Sequence, residues 1–158
     1  MTARDPISVV LVEDDVALGP AVAQALQLEG IEVSLFADAV SALNAIANDF
    51  PGVVVSDVRL PGMDGLALFA ELQEKDPDLP VIFTTGHGDV TMAVAAMKDG
   101  AADFLTKPYS SAALIRAITI AAERRQLVLE NRRLRHALKQ QAQNGCIGSS
   151  EFAVRLRV

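Results

Sequence analysis

The chain has 158 residues, 51% hydrophobic and 22% charged, which is enough apolar surface for one ordinary core with an appendage and too much for a disordered segment. No apolar run is long enough for a bilayer span, the first residues lack a leader's apolar stretch, and Cys146 is the only cysteine, so a cytoplasmic protein without an internal disulfide or membrane partner is expected. The net charge of −6 is uneven: residues 1–122 carry 6 basic against 17 acidic side chains and residues 123–158 carry 8 against 3, which places a boundary near Glu123 and disfavours direct nucleic-acid binding.

Ile7–Val12 is a continuous apolar run and reads as a buried strand. Asp15 is placed to cap a helix running to Leu28, with Gly30 as its stop. Pro20 must sit early in that helix or bend it. Ile31–Phe36 alternates like a half-buried edge strand. Asp38 is expected to cap a helix to about Asn48, and Val53–Asp57 is a short strand that ends in an acid. Pro61–Gly65 reads as a turn, followed by a helix to Lys75. Leu79–Thr85 is the next strand, Asp89 the cap of a helix ending at Gly100, and Ala101–Thr106 the last strand. Ser110 or Ser111 caps a long final helix that reaches about Gln141. Strands alternating with helices predict a doubly wound parallel α/β sheet of five strands, flavodoxin-like, in the order 2-1-3-4-5.

Such sheets bind ligands outside the carboxyl ends of their strands. Four segments reach that edge: Glu13-Asp14-Asp15, Asp57, Thr84-Thr85-Gly86 and Lys107-Pro108. Gathering Glu13, Asp14 and Asp57 is costly by like-charge repulsion unless a cation binds or a proton is taken up. Hard oxygen ligands in a small open site favour Mg²⁺ over softer metals, and Mg²⁺ commonly shares phosphate oxygens. The competing reading of Glu13–Asp15 is a helix-start acid cluster favoured by the dipole. Asp57 weighs against it, because an acid ending an apolar strand needs a task at the sheet edge. Lys107 is suited to hold a phosphoryl oxygen as a point charge. The Thr85 hydroxyl is suited to donate to that oxygen. His87 shares the Thr85 loop, has no partner spaced for a triad, and reads as solvent-facing.

These four segments, with Ser56–Gly65 and Phe104–Pro108 in order and at matching separations, resemble a two-component response-regulator receiver domain over roughly residues 7–122. The resemblance implies that Asp57 accepts a phosphoryl group from a sensor histidine kinase. It implies Mg²⁺ as cofactor, held by Asp14, Asp57 and the Arg59 backbone carbonyl, with Glu13 acting through a metal-bound water where many relatives carry Asp. It assigns Lys107 as phosphate counter-ion, Thr85 as switch hydroxyl, Phe104 as switch aromatic and Gly86 as the small neighbour of Thr85. Phosphorylation would draw Thr85 and the loop Gly86–Asp89 inward and repack the face of the fourth helix, fifth strand and fifth helix. No independent substrate turnover is expected.

Residues 123–143 are expected to form a coiled-coil dimerisation linker that continues the fifth helix. Ile120, Leu127 and Leu134 are seven apart and take d positions, with Ala117, Arg124, Asn131 and Leu138 at a positions and Glu123, Arg125, Glu130, Arg132 and Arg133 on the flanks. The competing reading is a single solvated basic helix. This segment is similar to the linker of the nitrogen-regulator class of sigma-54 activators, and within it to the dicarboxylate-transport branch, in which an AAA+ ATPase and a helix-turn-helix domain follow. Ile147-Gly148-Ser149-Ser150 resembles the opening of that ATPase. No Walker sequence follows it, so residues 144–158 are expected to be an unstructured tail, either a truncated ATPase start or vector residues. Two other accounts compete: an aspartyl phosphohydrolase, disfavoured because Arg59 stands where a second catalytic Asp is usual, and a purely structural dimerisation module.

Overall fold

The computed structural model describes residues 6–145. Five strands, β1 (Ser8–Val12), β2 (Glu32–Phe36), β3 (Val53–Asp57), β4 (Val81–Thr85) and β5 (Asp103–Thr106), alternate with α1 (Leu18–Leu28), α2 (Ala39–Ala45), α3 (Gly65–Lys75), α4 (Val90–Lys98) and α5 (Ser111–Gly145). All strand pairs are parallel and the sheet order is β2-β1-β3-β4-β5, as the alternation predicts. The three central strands are almost wholly buried, and β2 and β5 are the half-covered edges.

The strands put alternate side chains on opposite faces, and each face has its own core. Val10, Val12, Val54, Val81 and Phe83 pack under α2, α3 and α4 with Leu68, Phe69 and Leu72. Val9, Leu11, Val53, Val55 and Ile82 pack under α1 and α5 with Leu26, Leu114 and Ile118. The continuous apolar runs of β1, β3 and β4 are thus explained by burial on both sides.

Local chemistry sets most of the helix starts. The Asp15 carboxylate accepts from Ala17 N and Leu18 N, so α1 begins at Leu18. Pro20 falls in the first turn, where a missing N–H costs nothing. Asp38 and Asp64 cap α2 and α3 by accepting from Ser41 N and Ala67 N. Ser110, of the two candidates, caps α5 by accepting from Ala113 N.

Other expectations shift. The second helix ends at Ala45 because Ile46 is already extended. The fourth and fifth strands start later than expected, at Val81 and Asp103. Asp89 makes no side-chain cap for α4. Its carboxylate is taken by Arg59 instead, and a short 3-10 turn, His87–Asp89, leads into the helix.

The described chain falls into two compact units, the first running to Gln126 and the second starting at Leu127. The first extends past Glu123 because Arg125 is buried in it. In the second, Leu127, Leu134, Leu138 and Asn131 are exposed, and Arg133 pairs with Glu130 at 2.6 Å. Residues 146–158, including Cys146 and the Ile147–Ser150 segment, lie outside the described residues.

Candidate functional site

The segments after β1 and β5 and the end of β3 bring carboxylates and an ammonium to one place. Oxygens of Glu13, Asp14 and Asp57 lie within 4.8 Å of one another. Lys107, just past β5, reaches back with its Nζ 2.7 Å from Asp57 Oδ2 and 3.0 Å from Glu13 Oε1. The other Asp57 oxygen, Oδ1, accepts from the Arg59 backbone N–H at 3.2 Å. The Lys107–Pro108 peptide bond is cis.

The sheet register makes this meeting unavoidable. Asp57 is paired with Thr84 and Thr85 with Thr106, so the residues after each strand share one edge. Gly65, the first residue of α3, sits against the Asp57 main chain. A Cβ there would collide with the Asp57 carbonyl oxygen, so the turn can close beneath Asp57 only with glycine.

Three carboxylates and one ammonium leave the cluster short of positive charge. Glu13 is buried and Asp14 exposed. Burial pushes the Glu13 carboxyl above its ordinary value, against the hydrogen bonds from Lys107 and the Asp15 N–H that pull it down. Burial alone would depress the Lys107 ammonium, but its bonds to Asp57 and Glu13 outweigh that and hold it up. The donor set is all hard oxygen, with two carboxylates and one more at the rim. It fits a small divalent cation of the Mg²⁺ kind and offers nothing to a soft metal.

Thr85 is fully buried, and its hydroxyl donates to the Gly86 carbonyl at 3.1 Å. Gly86 has open space where a Cβ would be. Phe104 is half-buried against the core beneath α2–α4. His87 is exposed, in keeping with a solvent-facing loop. The structure thus brings Glu13, Asp14, Asp57, the Arg59 main chain and Lys107 together, with Thr85 and Gly86 ending the strand next to Asp57. Beside them, α1 and the start of α5 border a mainly apolar groove of about 470 Å³, lined by Leu18, Val22, Leu26, Lys107, Tyr109 and Leu114.

Of the dimerisation candidates, Ile120, Leu127, Leu134 and Leu138 are exposed. Ala117 is not: it packs into the core beneath α1 and α5, because its face of α5 is the one that covers the sheet. Arg125, read as a flank residue, is also turned inward.

Two contacts escaped the sequence reading. Arg59 grips Asp89 with a two-pronged bond, Nε to both carboxylate oxygens at 2.9–3.0 Å and Nη2 at 2.8 Å, joining the loops after β3 and β4. Nothing in the sequence pairs those two positions. Arg125 binds Asp76. Here a signal existed, since Leu114, Ile118, Ala121 and Arg125 recur at helical spacing on one face.

Residues 9–119 match the response regulator receiver domain. The chain belongs to that family. It is 48% identical over 151 residues to the C4-dicarboxylate transport transcriptional regulatory protein DctD of Rhizobium meliloti, covering 95% of this chain and 33% of the relative. It is 50% identical over 151 residues to the DctD of Pseudomonas aeruginosa, covering 94% and 33%. The crystal structure of the receiver domain of NtrX from Brucella abortus superposes with a TM-score of 0.68 at 40% identity, covering 73% of this chain and 98% of that one. The chain spans about a third of the length of the two DctD relatives. No described helix is long and apolar enough to cross a membrane.

Proposed function

We propose that this receiver accepts a phosphoryl group on Asp57 from the phosphohistidine of a sensor kinase, with Mg²⁺, and that the change is passed on through a dimeric linker. The observation that carries the proposal is the convergence on Asp57 of Lys107, Glu13 and Asp14 at one sheet edge.

The chemistry follows from the positions. One Asp57 carboxylate oxygen attacks phosphorus in line as the phosphorus–nitrogen bond breaks, and the leaving imidazole keeps the bonding pair. Asp14 and Asp57, with the Arg59 carbonyl, would hold the cation, and Glu13 would act through one of its waters. A cation held there would supply neutralisation of the charge on the transferring oxygens. Lys107 exchanges part of its pairing with Asp57 for a phosphoryl oxygen. Thr85 must give up its bond to the Gly86 carbonyl to donate to another, which draws the loop Gly86–Asp89 inward and opens room for Phe104. The apolar groove beside Lys107 is placed to seat the donor protein. The receiver acts by positioning and electrostatics, so a small phosphoramidate should also serve as donor.

The exposed Ile120, Leu127, Leu134 and Leu138 support pairing of α5 with a second copy, with Asn131 at an a position selecting two strands. By similarity to the DctD relatives, the output is a transcriptional one, carried by an ATPase and DNA-binding domains in cis. A cytoplasmic location accords with that role. Incubation with phosphoramidate and Mg²⁺ should give an alkali-labile, hydroxylamine-sensitive acyl phosphate in the wild type and none in Asp57→Asn. Light scattering on the same samples should report a dimer; a monomer at all concentrations would remove the linker from the proposal.

A further inference from the structure

The largest fully buried side chain described is a cation. Arg125, on α5, is 1% exposed. Its Nη2 lies 2.6 Å from Asp76 Oδ2, its Nη1 3.3 Å from Asp76 Oδ1, and its Nε donates at 2.9 Å to the Phe50 carbonyl. Asp76 is the residue that closes α3, its own N–H bonded to Leu72 O, and its carboxylate also receives the Asp78 N–H. Phe50 lies in the segment that leads into β3. One guanidinium therefore ties three parts of the fold together, at the amino ends of β3 and β4. That is the edge of the sheet opposite the Asp57 site.

Stability alone is a poor account of such a contact. Burying an ion pair costs desolvation that its attraction roughly repays, and apolar replacements of similar volume are often neutral. What a forked guanidinium does add is geometry, since two parallel bonds to one carboxylate fix an angle as well as a distance. Position adds a second argument. The receiver match ends at residue 119, and the first compact unit ends at Gln126, one residue past Arg125. The fork sits at the last point where α5 still belongs to that unit.

We propose that Arg125 is a positioning residue: by locking α5 to the end of α3 and to the segment entering β3, it fixes the place at which the helix leaves the receiver. α5 starts four residues after Lys107, so its first turn adjoins the phosphorylation site while the turn carrying Arg125, the last within the first unit, is held. The benefit to the linker rests on the dimer reading above; the lock itself does not.

The test is amide hydrogen exchange on the whole chain, wild type beside Arg125→Met/Asp76→Asn and Arg125→Lys. In the double variant, residues 119–126 should exchange roughly tenfold faster or more, a change of about 1.4 kcal/mol in local opening, while β3 and β4 keep their protection. Arg125→Lys, which keeps the charge and loses the fork, should behave like the double variant. Unchanged protection of 119–126 in the double variant would overturn the proposal, as would wild-type behaviour of Arg125→Lys. Loss of protection in β3 and β4 in parallel would overturn it too, by making the contact a general stabiliser. A spin label at Lys139→Cys, an exposed position off the a and d stripe, in a Cys146→Ser background supplies the linker arm. The distance between labels on two copies should broaden in the double variant although Asp57 is phosphorylated as before. An equally narrow distribution would overturn the positioning role. Absence of any inter-copy distance in the parent would refute the dimer reading and leave the exchange result to decide the lock.

Discussion

Replacing Asp14 with Asn should make the receiver more stable in the absence of divalent cations, and that gain should disappear when Mg²⁺ is added. Asp14 has carboxylate neighbours on two sides, with oxygens of Glu13 and Asp57 within 4.8 Å. At that distance two like charges repel by about 1 kcal/mol in water and about 3.5 kcal/mol at an effective dielectric of 20. Asp14 is exposed, so the lower figure applies, and part of it persists in the unfolded chain, where Glu13 is its direct neighbour. Removing the charge should therefore stabilise by about 1 kcal/mol, which moves a urea midpoint up by roughly half a molar at the usual slope. The wild type should gain about 2.7 kcal/mol from Mg²⁺ at a hundred times its dissociation constant, and Asp14→Asn much less, so the order of the two proteins reverses. The assay is urea unfolding followed by far-ultraviolet circular dichroism, with and without Mg²⁺. A less stable Asp14→Asn in the metal-free protein, or equal Mg²⁺ stabilisation of both, would refute the reasoning that repulsion is stored for a cation to relieve.

Glu13→Gln tests the buried carboxyl by pH. Burial raises its folded value above the unfolded one, so the folded state holds the proton more tightly. Stability is then lost as pH rises from the unfolded carboxylate value through the raised folded one; the variant should lack that loss, matching wild type in acid and exceeding it at neutral pH in metal-free urea titrations. Gly65→Ala should destabilise by about 3 kcal/mol or more through collision with the Asp57 main chain, read by thermal unfolding. Asp38→Ala should cost about 1 kcal/mol through loss of the α2 cap to Ser41 N, read the same way. Thr85→Ala should still accept a phosphoryl group but fail to shift the amide resonances of the α4–β5–α5 face on phosphorylation.

The fold and the grouping of the acidic side chains with Lys107 were both legible because each rests on local pattern. Apolar runs such as Val53–Val55 could only be strands buried on two faces, and helices between them leave few topologies to choose from. Residues that end parallel strands meet at one edge, so Glu13, Asp57 and Lys107 could be grouped from their positions alone. What stayed hidden depends on long-range partners. Asp89 looks like a helix cap until Arg59, thirty residues earlier, takes its carboxylate. Ala117 and Arg125 fit a heptad as well as they fit the receiver core. Only the direction of the α5 face decides between the two, and heptad and helical periods differ too little over one or two turns to show it. The groove between α1 and α5 likewise exists only once the two helices lie on the same face of the sheet.

The most direct test of the central claim is intact mass of the chain after incubation with acetyl phosphate and Mg²⁺, beside Asp57→Asn and a metal-free control. The account predicts one added phosphoryl group in the wild type, absent in both controls. No added mass under any donor, or equal addition in Asp57→Asn, would contradict it.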